Sequence, residues 1–80
     1  MKKEIIILGS TGSIGTSTLA AVKNENFKIK LLSTNKNILK IYKQAIKYNV
    51  KDIIVVDKTK YKKYKYLFKK KKIRLHLGFK

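Results

Sequence analysis

An α/β fold is predicted for this chain: part of a doubly wound parallel sheet, with about four strands and three helices. Three observations predict it. Short apolar, β-branched runs alternate along the chain with segments whose apolar residues recur every three or four positions, giving the order β-α-β-α-β-α-β. That order calls for parallel strands joined by right-handed crossovers, with helices covering the sheet's faces. The first run ends in a glycine-rich turn that opens a helix, and three of the four glycines fall in the seven residues from 9 to 15. Finally, 80 residues with no Pro- or Ser-rich linker and no internal repeat leave room for one domain at most.

Taken in order, Ile5 to Leu8 is purely aliphatic and bounded by Gly9, which predicts a buried strand. Ser13 to about Lys23 follows as a helix, with Ile14, Thr18, Leu19, Ala21 and Val22 at helical spacings. Phe27 to Ser33 alternates lysine with apolar residues and becomes continuously apolar at Leu31 and Leu32, a second strand. From Ile38 to Tyr48 the set Ile38, Ile41, Tyr42, Ala45 and Ile46 marks the clearest helix, with Asn35 or Asn37 available as its N-cap. Asp52 to Val56 is a third strand. Thr59 to about Lys71 is a third helix, opened by Asp57 or Thr59, and Ile73 to Leu77 is a weaker fourth strand ending at Gly78.

In a six-stranded sheet of this type the strand order is 3-2-1-4-5-6, which leaves strand 1 central with the switch point beside it. The sequence stops after strand 4, whose outer edge would then be unpaired, and complete domains cover such edges. A fragment, or a much-reduced relative, of a larger protein is therefore expected. Ordering 80 residues costs on the order of 100 kcal/mol, so half a sheet is expected to be poorly stable alone.

Lys and Arg number 21 against four acids, a net charge of +17 that favours polyanions. The lysine bias, accompanied by abundant Ile and Asn, is equally what AT-rich codons produce. Without cysteine there is no disulfide framework or thiolate zinc site, and one histidine builds no imidazole cluster. The longest aliphatic run, Ile5 to Leu8, is far short of the roughly 20 apolar residues that span a bilayer. Met1-Lys2-Lys3 faintly imitates a signal peptide, but Glu4 and the glycine turn interrupt it. A soluble, cytoplasmic protein is expected.

The glycine turn has a chemical reading. A dinucleotide's pyrophosphate needs backbone N–H groups at close range, and a helix N-terminus supplies them with a partial positive charge. Gly9 would allow the sharp turn, Gly12 the approach of backbone to phosphate, and Gly15 the close packing of the first helix, as in Rossmann-like folds. Ser10, Thr11 and Ser13 add hydroxyl donors. Nicotinamide sites that prefer NAD place an acid after strand 2 to bind the ribose 2′-OH; those that prefer NADP drop it and supply cations and hydroxyls. Here strand 2 runs into Ser33-Thr34-Asn35-Lys36-Asn37, with no acid. Lys36 would supply charge to a 2′-phosphate, with Thr34, Asn35 and Asn37 as neutral donors. The same residues also read as a cap for the second helix, and both roles are compatible.

The stretch "ILGSTGSIGTSTL", residues 7 to 19, resembles the N-terminal signature of the 1-deoxy-D-xylulose 5-phosphate reductoisomerase family, and "NKN" sits where that family carries a Gly-Lys-Asn step. The resemblance covers all 80 residues, strongly in 7 to 19. It implies that the chain is the N-terminal part of an NADPH-binding domain, with the catalytic and C-terminal domains absent. Its cofactor-binding positions would fall on Thr11, Gly12, Ser13 and Ile14, flanked by Gly9 and Gly15, and on Asn35, Lys36 and Asn37, with Asn35 where the family usually has glycine. The family rearranges 1-deoxy-D-xylulose 5-phosphate and reduces the resulting aldehyde with NADPH, giving 2-C-methyl-D-erythritol 4-phosphate in non-mevalonate isoprenoid biosynthesis. It is a homodimer that uses a divalent cation, Mg or Mn, whose ligands lie later in its chain. Of the four acids here, Glu4 and Asp52 flank strand starts, Glu25 lies beyond the first helix and Asp57 caps the third. No metal ligand and no catalytic residue is assigned, and the chain alone is expected to be inactive.

The alternative is a small basic nucleic-acid-binding module. "KYKKYKYLFKKKK", residues 60 to 72, interleaves lysine with Tyr61, Tyr64, Tyr66 and Phe68, the ingredients of a cationic groove with stacking platforms. On a helix, however, Tyr61, Tyr64 and Phe68 form the stripe that packs onto a sheet, leaving lysines to solvent. His76 has no acid or cysteine beside it in sequence and is expected to be bland.

Overall fold

The structure, a computed structural model, describes residues 3–21 and 27–78. Its elements are β1 (Lys3–Ile7), α1 (Ser13–Ala21), β2 (Phe27–Thr34), α2 (Ile38–Lys47), β3 (Asp52–Val55), α3 (Lys58–Lys70) and β4 (Arg74–Leu77). All seven expected elements are present in the expected order. The continuation of the first helix to Lys23, and the placement of Val22 and Glu25, lie outside the described residues.

The four strands form one parallel sheet, but its order is β1-β2-β3-β4. This corrects the order 3-2-1-4: β4 pairs with β3, and β1 is an edge strand among the described residues. The reason is the short connection after α3. Lys72 takes a left-handed backbone, φ 58°, and Ile73 N–H donates to the Phe68 carbonyl at 3.0 Å. The turn is therefore closed at once, and the Arg74 N–H bonds the Lys51 carbonyl at 2.7 Å, beside β3. Crossing over β3 and β2 to the far side of β1 would need a span of at least about 14 Å at ordinary strand spacing.

Strict chain order has a second effect. Right-handed crossovers that all step the same way put their helices on one face, so α1, α2 and α3 share a face. The expected cover on both faces is not found among the described residues. The core lies between that face and the helices. Ile7, Ile29, Leu32, Ile53 and Val55 from the strands meet Leu19, Ile38, Ile41, Ala45 and Phe68 from the helices. Ile29 and Leu32, three apart, both reach the core because the β1–β2 register shifts between Ile5 and Ile6, leaving Lys30 as an extra residue on β2. Phe68 is fully buried, with its ring edge-on to Tyr42 at 5.1 Å between centroids.

Caps set the helix boundaries. The Asp57 side chain accepts from the Lys60 N–H at 2.9 Å, so Asp57 caps α3. Asn37 occupies the N-cap position of α2, yet its side chain makes no capping hydrogen bond. No helix among the described residues is long and apolar enough to cross a membrane.

Candidate functional site

The site is built where β1 leaves the sheet. Gly9 turns the chain with φ 67°, a backbone that side-chain-bearing residues rarely adopt. The Gly12 N–H donates to the Gly9 carbonyl at 3.1 Å, and the Thr16 N–H to the Gly12 carbonyl at 2.9 Å, which carries the loop into α1. Gly15 sits against the loop's own backbone: a Cβ there would lie 2.6 Å from the Ser10 Cα. Gly12 differs, since a Cβ there meets only the Gly9 carbonyl oxygen at 3.6 Å. Gly9 is demanded by its backbone conformation and Gly15 by packing. At Gly12 nothing in the fold excludes a side chain, which would instead fill the open space above the loop.

A polar network fixes this loop to its neighbours. The Ser10 N–H donates to the Ser33 carbonyl at 2.9 Å, and the Gly9 N–H to the Ser33 hydroxyl at 2.9 Å. The Ser10 hydroxyl donates to Gln44 Oε1 at 2.8 Å, while Gln44 Nε2 donates to the Ser10 carbonyl at 2.9 Å. The Thr11 and Thr34 hydroxyls share a bond of 2.7 Å, and Lys40 Nζ donates to the Thr11 carbonyl at 2.9 Å. Thr34, expected as a free donor, is thus nearly buried and already engaged with Thr11. Lys40 covers a carbonyl whose negative end would otherwise face an arriving anion.

Two clefts meet at the loop. One, of about 760 Å³, lies at the C-terminal end of the sheet and is bordered by Gly9, Thr11, Gly12, Thr34, Asn35, Lys36 and Asn37, with Lys60 from the first turn of α3. The other, of about 520 Å³, runs along the outer flank of β1 past Gly9, Gly12, Ser13, Ile14 and Gly15. All ten residues expected to bind a cofactor therefore border one cleft or the other, and Gly9 and Gly12 border both. Asn35 has no positive φ, so an asparagine in this place is unstrained. Its carbonyl accepts from the Asp57 N–H at 2.8 Å, which ties the strand-2 exit to the start of α3.

Among the described residues no acid borders either cleft, since Asp57 is turned to its own helix end, while Lys36 and Lys60 border the first. Such a place suits an anion of two or more phosphates. Lys60 and Gln44 were not singled out in the sequence. Lys60 is one lysine among many in its run. Gln44 carried a usable signal: it falls on the apolar stripe of α2, between Ile41 and Ala45, where a polar side chain needs a partner.

The basic aromatic segment on α3 borders a separate open groove of about 610 Å³ against β4. Phe68 is buried, Tyr61 and Tyr64 are half-buried, and Tyr66 is the one exposed ring on the helix. A stacking platform for successive bases needs more than one.

At the N-terminal ends of β3 and β4, away from the loop, Arg74 donates two hydrogen bonds of 2.7 Å to the Asp52 carboxylate, and His76 Nε2 lies 3.2 Å from Asp52 Oδ1. His76 therefore does have an acidic neighbour, contrary to expectation, supplied by the β3–β4 register rather than by sequence proximity. The Arg74 hydrogen bonds hold the Asp52 carboxyl down to about 2, with His76 adding to them and burial opposing. Among the described residues no three of His, Cys, Asp and Glu converge as a metal group would require.

Comparison with known proteins bears on this geometry. The sequence model of the family described as 1-deoxy-D-xylulose 5-phosphate reductoisomerase matches residues 5–80. The reductoisomerase of Pelagibacter ubique (strain HTCC1062) is 44% identical over 79 residues, covering 96% of this chain and 20% of that protein. That of Thermoanaerobacter sp. (strain X514) is 48% identical over 60 residues, covering 72% of this chain and 16% of that one. A solved structure of the Zymomonas mobilis reductoisomerase in complex with NADPH superposes with a TM-score of 0.88 at 25% identity, over 98% of this chain and 21% of the other. The chain thus spans about a fifth of the length of the curated relatives it matches.

Proposed function

Because this chain belongs to the 1-deoxy-D-xylulose 5-phosphate reductoisomerase family, we propose that its glycine loop and strand-2 exit bind NADPH. The chain would then be the NADPH-binding portion of an enzyme that converts 1-deoxy-D-xylulose 5-phosphate to 2-C-methyl-D-erythritol 4-phosphate. The observation that carries this reading is that Gly9 and Gly12 border both clefts. A dinucleotide laid across them places its pyrophosphate over Gly12 at the start of α1, where the first N–H groups of a helix lack intrahelical partners.

The adenosine half then enters the larger cleft. The 2′-phosphate meets Lys36 and Lys60 there, with the side chains of Asn35 and Asn37 as donors. Asn37 makes no capping bond within the protein, which leaves its amide for this purpose. The absence of an acid from that cleft among the described residues favours the phosphorylated cofactor. The nicotinamide half lies along the β1 flank, where Ile14, 84% exposed, offers an apolar surface. When bound, NADPH supplies the hydride that reduces the aldehyde produced by rearrangement of the substrate. This chain's own residues bind and orient it. The remaining chemistry, including a divalent cation, the phosphosugar pocket and the catalytic groups, we place in segments that correspond to later parts of the relatives, in a cytoplasmic homodimer.

The test is a fluorescence titration of the folded chain with NADPH, NADH and a labelled oligonucleotide. NADPH binds more tightly than NADH, and Gly12→Val abolishes both. Failure of the folded chain to bind NADPH overturns the reading, and oligonucleotide binding that survives Gly12→Val supports the nucleic-acid alternative instead.

A further inference from the structure

We infer that Gln44 is a positioning residue that holds the pyrophosphate loop in register with the 2′-phosphate cleft, and so sets the preference for NADPH over NADH; this rests on the function proposed above.

The argument starts at Ser10, which is fully buried in the middle of the glycine loop. All of its polar groups are used to fasten the loop. Its N–H bonds the Ser33 carbonyl on β2, while its hydroxyl and carbonyl both bond the Gln44 amide on α2, at 2.8 and 2.9 Å. Only a primary amide of this length can accept from the first and donate to the second at once. Gln44 is itself only 8% exposed and borders neither the larger cleft nor the β1 flank, so it acts through Ser10 and not on a ligand.

What Gln44 connects is the point. Helix α2 begins at Ile38, directly after Asn35, Lys36 and Asn37. Two turns of rigid helix therefore join the residues proposed to hold the 2′-phosphate to the side chain that grips the loop proposed to hold the pyrophosphate. The 2′-phosphate and the pyrophosphate of one ligand are joined through a single ribose, which limits their separation. Each subsite gains from the other only while loop and helix keep their spacing. Without the amide, the Ser10 hydroxyl keeps only its long bond to the Ser33 carbonyl and the Ser10 carbonyl only the long bond from the Thr16 hydroxyl, each 3.4 Å, in a buried place. The loop then keeps its β2 contacts and the exposed bond from Lys40 to the Thr11 carbonyl, but loses its buried tie to α2.

Gln44→Met, of equal length without hydrogen-bonding capacity, tests this by titration with NADPH and with NADH. The ratio of the two affinities is expected to fall about tenfold, within the range for groups coupled through one hydrogen-bond network. A residue serving stability alone would lower the folded fraction and scale both affinities alike, leaving the ratio unchanged. Lys36→Ala is also expected to cost less in the Gln44→Met background than in the wild type. Should Gln44→Met not fold, Ser10→Ala, which removes one of the two bonds at nearly constant volume, reads the same link and is expected to lower the ratio by a smaller factor. An unchanged ratio in whichever variant folds overturns the inference. Failure of the wild-type chain to bind NADPH is a separate result that overturns the proposed function, and the inference with it.

Discussion

Gly15 lies against Gly9 with no space for a side chain between them: a methyl group on Gly15 would stand 2.9 Å from the Gly9 carbonyl carbon and 2.6 Å from the Ser10 Cα. Both neighbours are backbone, held by β2 and α2, and cannot swing aside. Gly15→Ala is expected to destabilise the chain by about 3 kcal/mol, as overpacking does, seen as a lower urea midpoint. Gly12→Ala meets only an ordinary contact, so its midpoint should stay within about 1 kcal/mol of the wild type while NADPH affinity falls.

Lys36 and Lys60 border the same cleft from different elements. Replacing either with alanine should weaken NADPH about fivefold, the scale of a solvated charge pair, and leave NADH nearly unchanged. Raising salt should shrink the difference between wild type and variant. Titrations with both cofactors at two ionic strengths check this. Equal losses for NADPH and NADH would remove Lys60 from the 2′-phosphate site.

The Asp52 carboxyl is lowered from an ordinary 3.8 to about 2, chiefly by hydrogen bonds from Arg74. A carboxylate depressed in the fold contributes stability that is fully present above its unfolded value and is lost as pH falls through its folded value. Urea midpoints should therefore decline between pH 3.8 and about 2. Asp52→Asn should flatten that decline and cost less than about 1 kcal/mol near neutrality, because the pair is partly solvated.

Phe68 is completely buried against Tyr42. Phe68→Ala is expected to cost about 3 to 5 kcal/mol, as much as the whole stability of a marginal domain. Far-UV circular dichroism should show an unfolded chain at room temperature.

Much of this molecule is legible in its sequence because local physics decides it. Periodicity located every element, Asp57 capped α3 as one of two candidates, and glycine spacing after a strand marked the loop. Apart from Asn37, which makes no side-chain cap for α2, the misreadings concern relationships between distant segments. Periodicity is the same whether β4 lies beside β3 or beside β1; the tight turn at Lys72 decides it. The contact of His76 with Asp52 exists only through strand register, across 24 residues of sequence. Lys60 cannot be told from its neighbouring lysines until α3 is placed over the end of β3. Ser33 and Gln44 read as strand and helix residues until Ser10 is brought between them.

The order β1-β2-β3-β4 also bears on how the molecule is made. Each strand docks onto the one synthesised just before it, so every strand pairing closes a shorter loop than a pairing of β4 with β1 would require. A ribosome adds about 5 to 20 residues per second, and the loop's attachments to Ser33 and Gln44 need nothing beyond α2. The glycine loop can therefore be fastened while α3 and β4 are still unmade, so the loop comes first in time, and Lys60 reaches the border of the larger cleft only when the next segment emerges.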